Sequence, residues 1–403
     1  MGQQSSLESL KHANIATSMR IFYYIPAIFA VMNLYIFWRM RTGFGPGKWQ
    51  WAVLFLMAGM IWLFMQRRSL MGSPWETPLH TISLIWVGFV LITLTWVFFL
   101  DCARILAWGM DYVAGTQLGL LLRPSRSVPF VLGLSLLLGV YALVEAVFIH
   151  KEHLTIATEK LPSGTRLRIA VMTDVHVNSL IGVTWRVKRM ARAANETKAD
   201  ILLMLGDLAD TDMRSKTVEA EVLRSISAPL GKFAVLGNHE AYSGLENALR
   251  FTRDAGFTVL RSEIARAGGI TLVGVDDPMF IAGRGKNATA AEEEICLALL
   301  HSLNTDQRSD EFILLLRHRP GTHKSIAGLF DLQLSGHTHG GQIWPAKIFT
   351  KWANGFSNGL ATVQGDNGQS VLYVSRGTGV WGPPMRLFTP PEITVVDLVG
   401  SPR

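Results

Sequence analysis

The first 150 residues of this 403-residue chain hold most of its long apolar segments, and this feature constrains the fold more than any other. Four of these segments, 17 to 22 residues long, contain at most one charged side chain each. A helix of about 20 apolar residues crosses the hydrocarbon core of a bilayer. Aromatic residues such as Tyr23, Trp38 and Trp49 lie near the segment ends, as is typical of membrane interfaces. We therefore predict an N-terminal bundle of four transmembrane helices in residues 1–150, at about 21–38, 49–65, 81–100 and 128–149.

The composition of the whole chain agrees with an integral, multi-pass membrane protein. Hydrophobic residues make up 49% of the chain, and its net charge is +7. Basic residues that flank membrane helices, and affinity for anionic lipid headgroups, account for this charge. No run of Lys and Arg interleaved with aromatic residues occurs, so we expect membrane lipids as partners and no nucleic acid. The two cysteines, Cys102 and Cys296, support neither a disulfide framework nor a zinc knuckle.

From residue 151 onward, short β-rich segments alternate with helical ones. This alternation predicts an α/β layered fold for a second domain, residues 151–403. Toward the C-terminus the predicted strands follow one another with little helix between them, which indicates two sheets or a mixed sheet. Strands are predicted at 166–173, 201–205, 232–237, 270–275, 312–316, 332–335, 371–375 and 392–398, and helices at 183–196, 218–227, 245–255 and 291–303.

Polar side chains follow five of these strands, at the point where each strand ends. In α/β sheets, the loops at the carboxyl ends of the strands share one edge, and ligands bind there. We therefore expect these five loops to converge. Their candidate residues are Asp174 and His176, Asp207 and Asp210, Asn238, His239 and Glu240, His318, and His337 and His339.

The chemistry of this set indicates a metal centre. Carboxylates, an amide oxygen and imidazoles without a thiolate suit Mn, Fe, Zn or Co better than Ca or Cu(I). The set is too large for one ion and suits two, with a carboxylate such as Asp207 bridging them. Such a pair clamps a phosphoryl oxygen and activates a water for in-line attack on phosphorus. A nearby imidazolium can then protonate the departing alkoxide.

Four of the loops carry sequence motifs, namely Asp174-x-His176, Gly206-Asp207, Gly237-Asn238-His239-Glu240 and Gly336-His337-Thr338-His339. In this order they resemble the motif set of the calcineurin-like metallophosphoesterases, over roughly residues 166–398. The segments GHTHGGQ and RHRP, and the C-terminal stretch 375–398, are similar to the bacterial membrane-associated branch of that family. That branch includes exported phosphodiesterases and a UDP-diacylglucosamine hydrolase of lipid A synthesis. The resemblance implies an αββα sandwich after the transmembrane helices.

The resemblance also implies a role for each residue. His239 resembles the proton donor to the leaving group, and Asp210 resembles the carboxylate that orients this histidine, although Asp212 and Glu240 are also close in sequence. Two divalent ions are implied, with manganese favoured and Fe, Zn or Co compatible. The first-metal ligands are Asp174, His176, Asp207 and His339, and the second-metal ligands are Asp207, Asn238, His318 and His337.

We therefore expect a membrane-anchored phosphoesterase of the bacterial inner membrane. Its expected reaction is hydrolysis of a phosphodiester or pyrophosphate linkage, in a membrane lipid or lipid precursor, by a metal-bridging hydroxide. One alternative is a nucleotide or general phosphomonoesterase. The alternative outside enzymes is a membrane sensor or interaction protein with an inactive phosphoesterase fold, against which the complete set of ligands counts.

For His323, Arg376 and Arg386 the sequence allows two interpretations each. His323 is an alternative to His318 as a metal ligand, but His318 directly follows its strand and precedes Arg319-Pro320, so we favour His318. Arg376 and Arg386 either bind a substrate phosphate or have structural roles.

Two features relate the catalytic half to the membrane. The segment 344–356, WPAKIFTKWANGF, interleaves aromatic residues with Lys347 and Lys351, which suits a lipid headgroup interface. In the alternative, these rings pack under the loop as core. Glu145 is the one charge in the fourth apolar segment, and because it lies near the segment end we expect it to reach the headgroups.

Overall fold

The computed structural model describes residues 25–66, 73–281, 288–303 and 305–402. The chain divides into two units, which are described separately. The N-terminal unit comprises Met1–Val144 with Gly382–Met385, and the C-terminal unit comprises Glu145–Trp381 with Arg386–Arg403. The division falls at Glu145, close to the predicted domain boundary at residue 150.

The described apolar segments of the N-terminal unit are helical. Helix α1 occupies residues 25–44, and the first four residues of the predicted segment 21–38 lie outside the described residues. A helix satisfies its backbone hydrogen bonds within the segment, which is the requirement inside a bilayer. The other helices of this unit are α2 (Trp49–Met65), α3 (Glu76–Ala114), α4 (Leu118–Leu121) and α5 (Pro124–Glu145).

Two of these helices, α3 and α5, are long and apolar enough to cross a membrane. Helix α3 has 39 residues, which is about 58 Å at 1.5 Å per residue and exceeds the thickness of a bilayer core. It ends at Gly115, whose left-handed backbone (φ 63°) terminates helices without steric cost. Helix α2 is a shorter apolar helix of 17 residues. The structure therefore supports two of the four predicted spans, and the four-helix transmembrane bundle stays a prediction.

The C-terminal unit contains twelve strands in its described part. They are β1 (His150–Thr158), β2 (Arg166–Met172), β3 (Ile201–Leu205), β4 (Lys232–Val235), β5 (Thr258–Val259), β6 (Glu263–Ala267), β7 (Ile270–Gly274), β8 (Phe312–Leu316), β9 (Leu332–Ser335), β10 (Gly359–Gly365), β11 (Gly368–Val374) and β12 (Glu392–Gly400). Its helices are α6 (Val183–Asn195), α7 (Thr217–Arg224), α8 (Asn238–Ser243), α9 (Leu245–Asp254), α10 (Ala288–Ser302), α11 (Thr305–Asp310) and α12 (Ala346–Asn354).

These strands form two six-stranded sheets, in the orders β1-β12-β2-β3-β4-β5 and β10-β11-β9-β8-β7-β6. A hydrophobic cluster that includes Leu203 and Leu314 fills the space between the sheets. Helices α6, α7 and α9 pack on the outer face of the first sheet, and α10 packs on the second. This is the four-layer αββα sandwich that the family resemblance implied.

The strands that the sequence predicted with the correct bounds are fully buried. All residues of β3, β8 and β9 are buried, and these strands have the predicted bounds, because strands buried on both faces show as continuous apolar runs. The sequence did not predict β1 or β10, which mix polar and apolar residues and are half-exposed at the margins of the two sheets. It also missed β5, β6, α8, α11 and α12.

The strand register brings the start of the C-terminal unit to one particular edge of the first sheet. Strands β2, β3 and β4 are parallel, so their carboxyl ends share an edge. Strand β12 runs antiparallel to β2, with Thr394 paired with Val171, and β1 runs parallel to β12, with His150 paired with Glu392. The first strand of the C-terminal unit therefore begins at the edge where the candidate ligand loops begin.

Candidate metal centre

Three groups of imidazole and carboxylate side chains meet at this edge, and the third, formed by His176, Asp210 and His239, shares His176 with the first. In the first group, Asp174, His176 and His339 each offer a ligand atom within 4.8 Å of the other two. His176 Nε2 lies 3.0 Å from His339 Nε2, and His339 Nε2 lies 3.4 Å from Asp174 Oδ1. All three residues are buried, so their polar atoms need partners within the site.

The second group consists of Asp207, His318 and His337, from the loops after β3, β8 and β9. His318 Nε2 lies 3.1 Å from Asp207 Oδ2, and His337 Nδ1 lies 3.2 Å from His318 Nε2. Asp207 Oδ2 is also 3.8 Å from His176 Nε2 of the first group. This carboxylate oxygen therefore lies between the two groups, in the position of a shared ligand.

Asn238, the first residue of α8, adds an oxygen that lacks a partner. Its side chain is buried, and its Oδ1 has no hydrogen bond. A buried polar atom without a partner is costly, and a cation beside it would remove that cost. The closely facing imidazole nitrogens of both groups would likewise be stabilised by a cation between them. Nitrogen and oxygen donors suit Mn, Fe, Zn or Co. The residues present therefore fit a pair of divalent ions.

The backbone that carries these side chains is strained. Left-handed conformations are uncommon for residues other than glycine and cost on the order of 1–3 kcal/mol each. Such strain persists only where the surrounding structure enforces it, and it collects at functional sites. The candidate ligands in this conformation are Asp174 (φ 54°), His176 (φ 48°), Asp207 (φ 52°), His337 (φ 72°) and His339 (φ 51°).

Gly206 allows two of the loops to approach each other. A Cβ at Gly206 would lie 2.5 Å from the backbone nitrogen of Gly237 and 2.7 Å from His318 Nδ1, and its φ of 89° also excludes side chains. His318 Nδ1 donates to the carbonyl oxygen of Leu205 at 2.7 Å. This hydrogen bond orients the imidazole, so that Nε2 faces Asp207.

Glu240 holds the Asp207 loop in place, a role that sequence reasoning did not define. Its buried carboxylate accepts backbone N–H groups from Asp207 (3.1 Å), Leu208 (2.6 Å), Ala209 (3.0 Å) and Gly237 (2.7 Å). Burial, together with the charge of Asp207, raises the pKa of Glu240 to about 7. The available sequence signal was a glutamate three residues after Gly237, which is a capping-box position.

We expect Glu240→Ala to lower the Tm of the C-terminal unit by about ten degrees. Several buried N–H groups would lose their acceptor, at about 1–3 kcal/mol each. Thermal unfolding of chelator-treated protein measures this effect without a contribution from metal. The exposed Glu246 provides the matched control, and Glu246→Ala should shift the Tm by less than about one degree. An unchanged Tm for Glu240→Ala would show that these hydrogen bonds do not support the loop.

Burial and charge set the protonation of both groups. Burial opposes ionisation of Asp207, but neighbouring imidazoles, chiefly His318, hold the pKa of this carboxyl well below its usual value. Burial, reinforced by the charge of His318, lowers the pKa of His337 to about 3. Burial likewise holds the pKa of His339 well below its ordinary value. Ionised carboxylates and neutral imidazoles are the forms that bind metal ions, so Asp207, His337 and His339 are ready to do so. The charge of Asp207 outweighs burial and raises the pKa of His318 to about 10, so His318 has to release a proton when a metal ion binds.

His239 lies beside the first group and is held by Asp210. Its Nδ1 is 2.6 Å from Asp210 Oδ1, and its ring packs edge-on against His176 with centroids 4.6 Å apart. Asp212 instead accepts a hydrogen bond from Arg214 Nε at 2.8 Å. Of the nearby carboxylates, Asp210 is therefore the one placed to orient His239.

Two exposed aromatic rings that sequence reasoning missed flank His239. The ring centroids of Tyr242 and Trp381 lie 5.3 Å and 5.9 Å from that of His239. The side-chain amide of Gln342 donates to the Trp381 carbonyl at 2.8 Å and accepts from the Trp381 N–H at 2.9 Å. Gln342 belongs to the GHTHGGQ motif, but no local pattern marks Trp381, because 39 residues separate the two.

The three basic residues left open by the sequence have protein partners. His323 is exposed, with Nδ1 2.9 Å from Ser325 Oγ, and belongs to neither group. Arg386 is fully buried and donates to the backbone carbonyl oxygens of four residues. Arg376 pairs with Glu152 at 2.9 Å and with a second glutamate. The structure therefore favours structural roles for both arginines.

Glu145 is buried, contrary to the expectation that it reaches lipid headgroups. Its Oε2 accepts the N–H of Thr389 at 3.5 Å. The Thr389 carbonyl accepts from Arg386 at 3.1 Å, and Arg386 Nη2 lies 3.3 Å from His339 Nδ1. Direct contacts within the C-terminal unit therefore connect Glu145 to the candidate metal centre.

The αββα sandwich and the paired ligand groups at its edge define an α/β protein with a candidate dinuclear metal centre. Residues 167–341 match the family described as calcineurin-like phosphoesterase. An uncharacterized metallophosphoesterase of Aquifex aeolicus is 36% identical over 269 residues, which cover 66% of this chain and 98% of that protein. The chain therefore belongs to the calcineurin-like metallophosphoesterases and is a hydrolase of phosphoric esters. Membership of this family implies two divalent metal ions.

Two further relatives match over more of the chain. An uncharacterized metallophosphoesterase of Campylobacter jejuni is 27% identical over 393 residues, 93% of this chain and 96% of that protein. A Danio rerio protein, named transmembrane protein with metallophosphoesterase domain, is 28% identical over 343 residues, 80% of this chain and 75% of that protein.

Proposed function

We propose that this protein is a membrane-anchored phosphodiesterase that hydrolyses a phosphodiester or pyrophosphate linkage of a membrane lipid or lipid precursor. The observation that supports the lipid substrate is the chain of contacts to His339 from Glu145, the residue of the C-terminal unit that directly follows the apolar N-terminal unit. The membrane-spanning length of α3 and α5, and the name of the Danio rerio relative, support the membrane location. We place the protein in a bacterial inner membrane, with all four apolar segments of 1–150 as spans and 151–403 as the catalytic domain.

Chain length also supports an active site near the bilayer. Glu145, the last residue of α5, precedes His150 by five residues, which span at most about 17 Å. Only β12 lies between β1 and β2, so these two strands are about 10 Å apart. Asp174 lies two residues after the end of β2, within about 30 Å of the end of α5. An ester linkage that projects from the bilayer surface is therefore within reach of the site.

Each of the candidate ligands has a proposed place in the metal centre. Asp207 would be shared, and manganese is the proposed ion for both positions. When bound, the ions polarise the phosphoryl oxygens and lower the pKa of the attacking water. The ligands of one ion are Asp174, His176, Asp207 and His339, and those of the other are Asp207, Asn238, His318 and His337.

His239 is the proposed proton donor to the leaving group. Because its Nδ1–H is directed to Asp210, Nε2 is the nitrogen that can carry the transferred proton. The carboxylate of Asp210 would stabilise the imidazolium until the proton leaves. The exposed rings of Tyr242 and Trp381 lie next to His239 and would contact the departing alcohol.

Metal removal and reconstitution test this function. Chelator-treated protein is expected to lose turnover of a chromogenic phosphodiester, and Mn²⁺ is expected to restore it. The proposed substrate class further predicts faster turnover of the diester than of the matched monoester.

Results opposite to these two expectations would each favour one of the alternative functions. A preference for the monoester would favour a nucleotide or general phosphomonoesterase, while a wild type without metal-dependent turnover would favour a membrane sensor. Mass spectrometry of lipids from a strain that lacks the protein would then identify the accumulated substrate.

A further inference from the structure

Helix α12, which follows the metal-centre histidines, turns its apolar side away from the protein. Ile348, Phe349 and Trp352 are 63%, 67% and 87% exposed. The polar residues Thr350 and Asn354 are half-buried instead. A helix packed on the surface of a water-soluble domain shows the reverse arrangement. Helix α12 is therefore suited to an apolar partner on its outer side.

The exposed apolar residues form one strip along the helix. Positions i, i+1 and i+4 fall within about 100° of one another around a helix with 3.6 residues per turn. Lys347 and Lys351 lie beside this strip and are exposed. An apolar strip next to lysines is how helices bind membrane surfaces, because the lysines reach the anionic headgroups while the apolar side enters the acyl boundary.

Two hydrogen bonds bring the start of α12 and the end of α5 to the same short stretch of chain. Trp344, two residues before α12, donates its N–H to the carbonyl of Leu387 at 3.1 Å. Thr389 donates its N–H to the Glu145 carboxylate at 3.5 Å. Phe388, which lies between Leu387 and Thr389 in the sequence, is exposed and adds a further aromatic ring to the surface.

We propose that α12 is an interfacial helix that docks on the lipid bilayer. The proposal rests on the membrane location proposed above. The bilayer is the occupant that these contacts favour, because α5 would itself cross it and ends within hydrogen-bonding distance of the 387–389 stretch. The exposed lysines of α12 complement an anionic headgroup surface.

Docking of α12 would act on the metal centre directly. A Cβ on Gly341 would lie 2.2 Å from the backbone nitrogen of Lys347, so the start of α12 is packed against the loop that carries His337 and His339. A bilayer that holds α12 would therefore hold this loop at the height of the lipid phosphates. Lipid esters would then reach the site without leaving the membrane.

Photo-crosslinking tests the docking independently of catalysis. The full chain, with p-benzoylphenylalanine in place of Trp352, is reconstituted in vesicles of phosphatidylethanolamine and phosphatidylglycerol. We expect covalent phospholipid adducts at this position. Leu230 is the matched control, since it is an exposed apolar residue just before β4, at the opposite edge of the sheet. Adducts between position 352 and protein, or equal lipid adducts at both positions, would overturn the proposal.

A kinetic experiment separates docking from the proposed chemistry. The variant with Ile348, Phe349 and Trp352 replaced by serine is expected to turn over a vesicle-embedded diester about ten-fold more slowly. Its turnover of a soluble diester should stay within about two-fold of the wild type, as should both activities of Leu230→Ser. Unchanged vesicle turnover together with metal-dependent soluble turnover would overturn the docking and leave the proposed function intact. Soluble turnover that is independent of metal in the wild type would overturn the proposed function, whereas the crosslinking result would still decide the docking.

Discussion

Replacing Asp207 with asparagine is expected to lower metal-dependent turnover roughly a thousand-fold, or about 4 kcal/mol of transition-state stabilisation. Asp207 Oδ2 lies 3.1 Å from His318 Nε2 and 3.8 Å from His176 Nε2, so one substitution alters both ligand groups. Asparagine keeps the shape of the side chain but removes its charge and one acceptor oxygen. Elemental analysis should show that the metal content falls from about two ions per chain to about one or fewer.

Asp212→Asn is the matched control for this substitution. Asp212 lies five residues further along, is exposed and pairs with Arg214. We expect its substitution to leave both metal content and turnover at wild-type levels. Asp207→Asn protein that keeps two ions and full turnover would contradict the placement of Asp207 as a shared ligand.

Replacing His239 with asparagine is expected to lower turnover by about 10²–10⁴-fold for a substrate with an alkoxide leaving group. The reason is that His239, held by Asp210 at 2.6 Å, is the proposed donor of the proton that this leaving group needs. A nitrophenolate departs as a stable anion, so the loss on a nitrophenyl ester should be much smaller. Metal content should stay unchanged, because His239 lies outside both proposed ligand sets.

Two further variants define this result. Asp210→Asn is expected to lower turnover less than His239→Asn does, and again more for alkoxide leaving groups than for nitrophenolate. The reason is that the His239 ring keeps its proton but loses the charge that orients it. His323→Asn should be silent, because His323 is exposed and hydrogen-bonds to Ser325. If His239→Asn lowered turnover equally for substrates with either leaving group, or lowered the metal content, His239 would not be the proton donor.

The ligand loops were predictable because each one follows a strand with a strong local signal. The apolar runs of β3 and β8 mark those strands directly, and parallel strands place their carboxyl ends at one edge. The preference for His318 over His323 followed from its position right after such a run, and the structure brings His318 to 3.1 Å from Asp207. The interleaving of aromatic residues and lysines in 344–356 was visible in the sequence, but helix α12 was not predicted, and the choice between lipid contact and core packing stayed open.

Trp381, which sequence reasoning missed, interacts across a long stretch of chain, whereas Tyr242 lies only three residues from His239. Trp381 reaches His239 because the Gln342 amide holds its backbone, and the sequence separation of 39 residues leaves no periodic signal. The sequence left Arg386 open between phosphate binding and a structural role, and the structure shows it buried, with Nη2 3.3 Å from His339 Nδ1. Burial cannot be read from a lone arginine, because it depends on which distant segments surround the side chain.

The amino-acid pattern alone was sufficient for the apolar N-terminal half, the α/β alternation of the C-terminal half and the candidate metal ligands at the strand ends. These features depend on hydrophobic periodicity and residue type, which are local properties. The pairing of β1 with β12 and the contact of Glu145 with Thr389 became visible only in the folded chain. Both join segments more than 240 residues apart, and such contacts arise from the packing of whole layers, which no single segment encodes.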